Sequence, residues 1–406
     1  MSKWEWKKLG EVCDSINGLW KGKKEPLIKV GVIRNTNFTK NCKLDLNPSK
    51  LEFLDVEKKQ YDKRKLQFGD LIVEKSGGSE KQPVGRVVLF EEKEGEYSFS
   101  NFTSVLRIKN DDEIECHFLH LQLYKLYLDG VTKQMQSATT GIHNLDFDQF
   151  KDLSIGIPPL SEQKRIVKFL DEEFSKIETL KTNAETNLKN ARQLFKAGLE
   201  KTFQGKNFWK KMLLEDVCSN IVDCPHTTPK KVSYQTNYPC IRTSELKYGE
   251  IDWKSMQYLD EKEYKKRIAR LEPKENDIVY GREGTFGDAV LLPNTHRFSL
   301  GQRTMLFRPD LNFVIPRFLL LSIISPYVYK QAQEKNNGCG VGHVNVGDIK
   351  KFNVFIPPLS VQKEIVARLD KLSENVKRLE TNYKQIIANC DELKKSILKK
   401  TFERES

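Results

Sequence analysis

Six polar loops carry the residues best equipped for chemistry: KSGGSEKQPVGR (Lys75–Arg86), YSFSNFTS (Tyr97–Ser104), KQMQSATTGIHN (Lys133–Asn144), GREGTFGD (Gly281–Asp288), RFSLGQRT (Arg297–Thr304) and KNNGCGVGHVN (Lys335–Asn345). All of them combine small residues with Arg, Lys, Asn or Gln. Small residues let backbone approach a partner closely. Arg, Lys, Asn and Gln can bond base edges in pairs, and Ser, Thr and Lys can hold phosphates. This chemistry singles out Arg34, Lys75, Arg86 and Asn101 in the first half and Arg242, Arg282, Gln302 and Arg303 in the second, as base or phosphate contacts. Any one loop taken alone also reads as an ordinary hairpin turn.

Other chemistries lack their residues. The run Gly338–Gly342 precedes an extended segment rather than a helix, which does not fit a dinucleotide loop. No G-x-x-x-x-G-K-[ST] occurs, so P-loop ATP hydrolysis is not expected. Cys116, His117 and His120 fall on an amphipathic stretch where a structural role is expected, and Cys218, Cys224 and His226 have no second ligand pair. No metal is expected. The Glu-x-Lys strings at Glu57/Lys59 and Glu392/Lys394 support no nuclease, and the two Pro-Pro-Leu strings do not match the Asp/Asn-Pro-Pro-aromatic loop of amino-methyltransferases. Neither catalysis nor a cofactor is expected in this chain.

Composition sets wider bounds. The 406 residues carry 68 Lys+Arg against 56 Asp+Glu, a net charge of +12, which favours a polyanionic partner or, more plainly, basic helix faces. Eight cysteines form no C-x-x-C pair, the start MSKWEWKK has no apolar signal core, and the longest apolar stretch, Phe318–Ile324, is far too short to cross a membrane. A cytoplasmic protein with free thiols is expected.

The positioning elements come in duplicate. IPPLSEQKRIVKFLD (Ile157–Asp171) recurs as IPPLSVQKEIVARLD (Ile356–Asp370), with 11 of 15 positions identical. Upstream, Trp6–Cys13 pairs with Trp209–Cys218, and Gly69–Val73 with Asn276–Tyr280. The prolines suit a strand end followed by a helix start, with Ser161 or Ser360 as N-cap. From there apolar residues recur at heptad spacing. Leu170, Ile177, Ala184 and Ala191 form one row in the first copy, with Val167, Phe174, Leu188 and Phe195 beside it. Ile365, Leu372, Leu379, Ile386 and Leu393 form one in the second, with Leu369, Val376, Tyr383, Cys390 and Ile397 beside it. Helices of about 44 residues would span roughly 65 Å. Their seams are covered either by antiparallel pairing of the two helices or by a homodimeric coiled coil.

The fold class is therefore mixed α/β (α+β): two globular domains, 1–156 and 205–355, and two long coiled-coil helices, 157–204 and 356–406, in a pseudo-twofold internal repeat. Strands are expected at Leu27–Arg34, Asp70–Lys75, Gly85–Glu91 and Thr103–Lys109, then at Tyr238–Thr243, Asp277–Tyr280, Ala289–Leu292 and Thr304–Arg308. Helices are expected at Glu113–Leu128 and Arg317–Gln331, the latter interrupted at Pro326.

On the doubled I-P-P-L-S-x-Q-K-x-I-V segments, together with VDCPHTTPK (Val222–Lys230), IRTSELKYGEID (Ile241–Asp252) and LGQRT (Leu300–Thr304), the chain resembles the specificity (S) subunit of type I restriction–modification systems over essentially its whole length. The resemblance implies that each globular part is a target-recognition domain reading half of a bipartite double-stranded DNA target, and that the helices pair antiparallel as a spacer. It implies two modification (methyltransferase) subunits, docked around Leu160–Lys168 and Leu359–Arg368, that bring S-adenosylmethionine and flip out the adenine to be methylated. It also implies restriction (translocase/endonuclease) subunits supplying ATP- and Mg-dependent translocation and cleavage. Divergent globular halves on a shared frame suit two different half-sites. A non-catalytic coiled-coil scaffold for protein partners, or a fragment of a fused enzyme, is the competing reading.

Overall fold

The computed structural model of the chain describes residues 4–19, 24–80, 82–139, 141–204, 208–284, 286–336 and 342–403, with backbone only at 138 and 139. Of the Gly338–Gly342 run only Gly342 is among them; Cys339, and Lys81, Thr140 and Thr285 of the polar loops, lie outside the described residues. The chain folds as two units, Met1–Asn183 with Ile386–Ser406, and Ala184–Gln385.

In the first unit a four-stranded antiparallel sheet runs in the order Cys13–Asn17, Thr103–Ile108, Leu71–Glu74, Val87–Leu89. A second sheet sets Leu27–Ile33 between antiparallel Glu52–Glu57 and parallel Tyr97–Phe99. The second unit repeats this frame. Cys218–Asp223, Thr304–Pro309, Ile278–Gly281 and Ala289–Leu291 form its antiparallel sheet, and Pro239–Ile241 again lies parallel to the strand that precedes the long central one, Ser299–Leu300 before Thr304–Pro309. The outer strands Cys13–Asn17 and Cys218–Asp223 were not expected from sequence, because CDSIN and CSNIVD carry too few apolar residues to alternate.

The registers match at the loop end of the sheets, while at the other end the second unit has a bulge between Cys218 and Asn220 that the first lacks. Val73 pairs with Ser104 and Glu74 with Thr103, as Tyr280 pairs with Met305 and Gly281 with Thr304. Asn17 opposes Ser104 as Asp223 opposes Met305. At the opposite end of each sheet a buried aspartate holds an arginine, Asp70 with Arg107 and Asp277 with Arg308, each at 2.7 Å. Gly85 and Gly287 occupy the same turn with φ of +96° and +94°, a conformation open to glycine at little cost.

The late helix of the first unit spans Cys116–Leu128, with Glu115 as N-cap. Its counterpart is broken into Pro316–Ile323 and Pro326–Glu334, because each proline lacks the N–H that a continuing helix needs and sits instead in a first turn.

The long helices run Leu160–Phe203 and Leu359–Glu403. They begin two residues earlier than a serine cap would place them. Glu162 and Gln163 already bond back to the Pro159 carbonyl, as Gln362 does to Pro358, so Ser161 and Ser360 lie inside the first turn. Within the first unit Lys181 meets Asp391 (2.7 Å) and Glu178 meets Lys394 (3.7 Å). Within the second, Arg192 meets Glu380 (3.8 Å) and Arg368 bonds Thr202 (3.1 Å). Partner numbers fall on one helix as they rise on the other, so the helices pair antiparallel within this chain.

The seam departs from a strict heptad. Leu393, expected on it, is 46% exposed, while Leu398 and Phe402 are buried beside Ile166, Leu170 and Trp4. A straight helix drifts about 20° per heptad from a 3.5-residue repeat. Over four heptads the expected row rotates outward and the residues four and eight positions beyond Lys394 replace it.

Candidate nucleic-acid interface

The candidate loops fall on equivalent positions of the duplicated frame. Lys75 N–H donates to the Phe102 carbonyl (2.9 Å) as Arg282 N–H donates to that of Arg303 (3.0 Å), so Lys75 corresponds to Arg282, Phe102 to Arg303 and Asn101 to Gln302. Arg34 N–H donates to the Asn37 side chain (2.9 Å) and Arg242 N–H to Glu245 (2.7 Å), each opening a 3-10 turn at the end of the parallel strand. Six of the eight residues selected for DNA contact thus form three matched pairs. Arg303 and Arg86 remain, standing where the other unit has Phe102 and Asp288.

In the first unit Lys75 Nζ donates to Asn17 Oδ1 (2.9 Å) and stands 5.5 Å over the Phe147 ring. Half-burial holds this ammonium below the usual lysine range, because losing water disfavours the charged form. Asn101 and Phe102 are exposed at the turn before the central strand. Arg34 pairs with Glu52 on an exposed face. Arg34, Asn35, Asn101 and Phe102 rim a cavity of about 590 Å³ whose floor is Leu19, Val32, Leu54 and Val56. The buried Ser100 hydroxyl on its wall has no hydrogen-bond partner within the protein, so a polar group entering would meet a waiting donor.

Arg86 is placed differently from its loop reading. It is 4% exposed, its Nε and Nη2 each lie 2.8 Å from the fully buried Glu74, and Nη1 donates to the Phe38 carbonyl (3.0 Å). It shapes the Arg34–Phe38 turn from inside. The sequence pattern Gly-Arg between two strands does not reveal that the preceding strand ends in a buried carboxylate.

The second unit carries a denser charge network. Arg282, 6% exposed, donates from Nε to Asp223 (3.1 Å) and lies 3.1 Å from Glu283 and 3.4 Å from His343 Nδ1. The Lys75–Asn17 contact thus has an ionic counterpart in Arg282–Asp223. Arg282 thus points into the loop and organises it. Glu283 in turn holds Arg303 (3.3 Å), whose side chain is 55% exposed. Arg303 adopts φ +69°, a left-handed conformation that costs a non-glycine residue about 1 kcal/mol or more and points to a functional loop. Gln302 donates to the His226 carbonyl (3.0 Å), and Arg242 grips the buried Glu245 while reaching the Ser255 carbonyl (3.2 Å). Phe102, Asp223, Glu283 and His343 were not selected from sequence. Phe102 was reachable by aligning Asn101-Phe102-Thr103 with Gln302-Arg303-Thr304.

The arrangement places cationic and amide side chains around the same turns of two related sheets, with Lys75, Arg34, Arg242, Gln302 and Arg303 each held by a partner. Such a surface can hold phosphates and read base edges. The chain belongs to the family of the type I restriction modification DNA specificity domain, whose model matches it twice, over residues 1–189 and 207–388. It is 26% identical over 404 residues to the type I restriction enzyme EcoKI specificity subunit of Escherichia coli (strain K12), covering 94% of this chain and 82% of that one. Against the EcoBI specificity subunit of Escherichia coli it is 23% identical over 303 residues, 69% of this chain and 63% of that subunit, so just under two thirds of that relative is spanned. A chain solved in work on complex assembly and conformational transition of the type I R-M system superposes with a TM-score of 0.76 at 16% identity, covering 100% of this chain and 98% of that one. No helix among the described residues is long and apolar enough to cross a membrane.

Proposed function

We propose that this chain is the sequence-reading subunit of a type I restriction–modification complex and recognises a bipartite double-stranded DNA target. The first unit reads one half-site through Arg34, Lys75, Asn101 and Phe102; the second reads the other through Arg242, Gln302 and Arg303, with Arg282 bracing them. One observation carries this reading: a frame duplicated to the register, with chemically different residues at matched tips. Asn101-Phe102 faces the partner where Gln302-Arg303 does in the other unit. Equal tips would suit equal half-sites; unequal tips suit an asymmetric target.

The chain supplies address rather than chemistry. Two modification subunits bring S-adenosylmethionine and the methyl transfer, and restriction subunits bring ATP, Mg and cleavage, all in the cytoplasm where the DNA lies. The paired helices set the half-site separation, with roughly 65 Å, or about 19 base pairs, as the outer limit.

The decisive test is domain exchange in the assembled complex. Replacing residues 1–156 with the corresponding domain of another specificity subunit should change one half of the methylated motif, read by methylome sequencing, and leave the other half and the spacer intact. Unchanged specificity in both halves sinks the proposal. On a finer scale, Arg303→Ala should weaken specific binding by roughly 1–3 kcal/mol, about 5–150-fold, because a bidentate base contact is worth that much. Its melting curve should stay put, since the exposed Arg303–Glu283 pair contributes little to stability. Loss of affinity accompanied by an equal loss for unrelated duplex would reassign Arg303 to phosphate contact.

A further inference from the structure

The two units differ at one matched place away from the DNA-facing loops. Glu115 N–H donates to Gln163 Oε1 (2.9 Å) as Ile315 N–H donates to Gln362 Oε1 (2.8 Å). Counting from there, Cys116 stands at the position of Pro316, His117 at that of Arg317, and Asp171 at that of Asp370. In the second unit Arg317 Nε and Nη2 both bond Asp370 Oδ1 (2.9 and 2.8 Å), so a fixed positive charge ties the late helix to the long helix. In the first unit no guanidinium stands there. Asp171 and His117 instead line a cavity of about 740 Å³ with Glu91, Glu92 and Glu178, against Lys43 and Lys394. Adding Glu115 makes five carboxylates to two ammonium groups.

Three donors of different kinds converge at this place. Glu115 Oε1 lies 2.7 Å from His117 Nδ1, His117 Nδ1 lies 3.5 Å from Cys116 Sγ, and Cys116 Sγ lies 3.9 Å from Glu115 Oε1. Bonds of about 2.0 Å to O and N and about 2.3 Å to S, at tetrahedral angles, require edges of about 3.3–3.6 Å. The observed triangle needs shifts of only a few tenths of an ångström to about half an ångström. The remaining atoms are already arranged for ligation. Glu115 Oε2 accepts from Phe118 N–H (2.6 Å) and caps the helix, which leaves Oε1 turned to the cluster. His117 Nε2 lies 3.0 Å from Glu91 Oε1, the carboxylate that orients a metal-bound imidazole from behind.

We propose that Glu115, Cys116 and His117 form a binding site for one divalent cation of the zinc class, with Glu91 as the outer-shell acceptor and the fourth position open to the cavity beside Asp171. Oxygen, nitrogen and thiolate donors together select a borderline-soft ion such as zinc over magnesium or calcium. The ion takes in the first unit the place that the Arg317 guanidinium takes in the second, and its two charges replace the two protons it releases, so the net charge of the site is unchanged. Binding displaces the thiol proton and one imidazolium proton to solvent. His120, the other histidine of this helix, turns away; its Nε2 lies 3.0 Å from the carbonyls of both Cys42 and Val87. Cys13, Cys42 and Cys218 are pushed up to about 12 by burial and compete poorly for metal.

The full-length chain can be titrated with zinc against a chromophoric chelator, and with cobalt to follow the thiolate-to-metal charge-transfer band. One tight equivalent is expected, lost in Cys116→Ser together with that band, and weakened about 10–100-fold in Glu91→Gln. His117→Arg copies the second unit's solution; it should bind no zinc yet melt as high as the zinc-loaded parent, which separates loss of metal from loss of fold. Stoichiometry and band unchanged in Cys116→Ser and His117→Arg would overturn the site. So would a melting temperature indifferent to added zinc.

Discussion

Arg86→Met is expected to destabilise the first unit by about 3–5 kcal/mol, because it strands a buried carboxylate. Glu74 has no exposed surface and takes both of its charge-assisted bonds from Arg86 at 2.8 Å. The same substitution frees the Phe38 carbonyl that Arg86 holds, so the turn carrying Arg34 and Asn35 loses its inner support. Glu74→Leu combined with Arg86→Met should recover most of the loss, since replacing both ions by apolar groups removes the desolvation cost along with the attraction. The second unit supports that expectation. Gly281 occupies the place of Glu74, and Asp288, its carboxyl raised by burial, occupies that of Arg86. The same frame forms without the ion pair. Hydrogen exchange at Leu71–Glu74 and Val87–Leu89 is the appropriate measurement, because it reads the opening of the first unit separately from that of the second. If exchange is unchanged while DNA affinity falls, Arg86 contacts DNA directly and its interior role is wrong.

Arg86 also marks where sequence reading stops. The duplication was legible because helix starts and strand registers leave repeated residue strings, and two seams too long to leave in water called for a partner, either the other helix or a second copy; the contacts Lys181–Asp391 and Arg192–Glu380 decide for the other helix. Side-chain direction was not. A loop rich in Arg, Lys, Asn and Gln announces polar contacts without saying whether their partners lie inside or outside. Arg86 and Arg282 look like Arg303 in sequence, yet Glu74 and Asp223 draw the first two inward. Those acids belong to other strands and come into reach only through sheet pairing. The same limit applied to Cys116 and His117. Helical spacing gave them a structural role, and only the fold brings Glu91 and Asp171 around them. The heptad failure at Leu393 has a different origin: sequence gives the period of a pattern, but the drift between 3.5 and 3.6 residues per turn accumulates in space.

The most specific sequence signal, the repeated I-P-P-L-S-x-Q, leads to the second large effect. Its glutamine is fully buried in both copies. Gln362 accepts from Ile315 N–H (2.8 Å) and donates to the carbonyls of Phe313 and Pro357 (both 2.9 Å). Gln163 makes the same three bonds with Glu115, Glu113 and Pro158, at 2.9, 2.8 and 2.8 Å. In each unit one side chain fastens the loop before the late helix to the first turn of a long helix. Gln362→Leu leaves the buried Pro357 carbonyl unpaired, at about 1–3 kcal/mol, and frees the part-buried Ile315 N–H and Phe313 carbonyl as well, so a loss of at least about 1–3 kcal/mol is expected. Gln362→Glu should cost more at neutral pH, because it sets a carboxylate against two carbonyl oxygens in a water-free place. Denaturation with exchange read at Pro316–Ile323 tests that order; a neutral Gln362→Leu would show that the helix start is held by its apolar neighbours alone. Burial of this glutamine, and of Ile166, Ile365, Leu170 and Leu369, gives much of the repeat an architectural reason. The docking surface proposed for the modification subunits around Leu160–Lys168 and Leu359–Arg368 then narrows to the identical residues that stay exposed, Ser161 and Lys164 in one copy and Leu359, Ser360 and Lys363 in the other. Charge reversal at Lys164 and Lys363 together should therefore release those subunits while leaving both units folded, whereas the glutamine variants should fail by losing the hold between domain and helix.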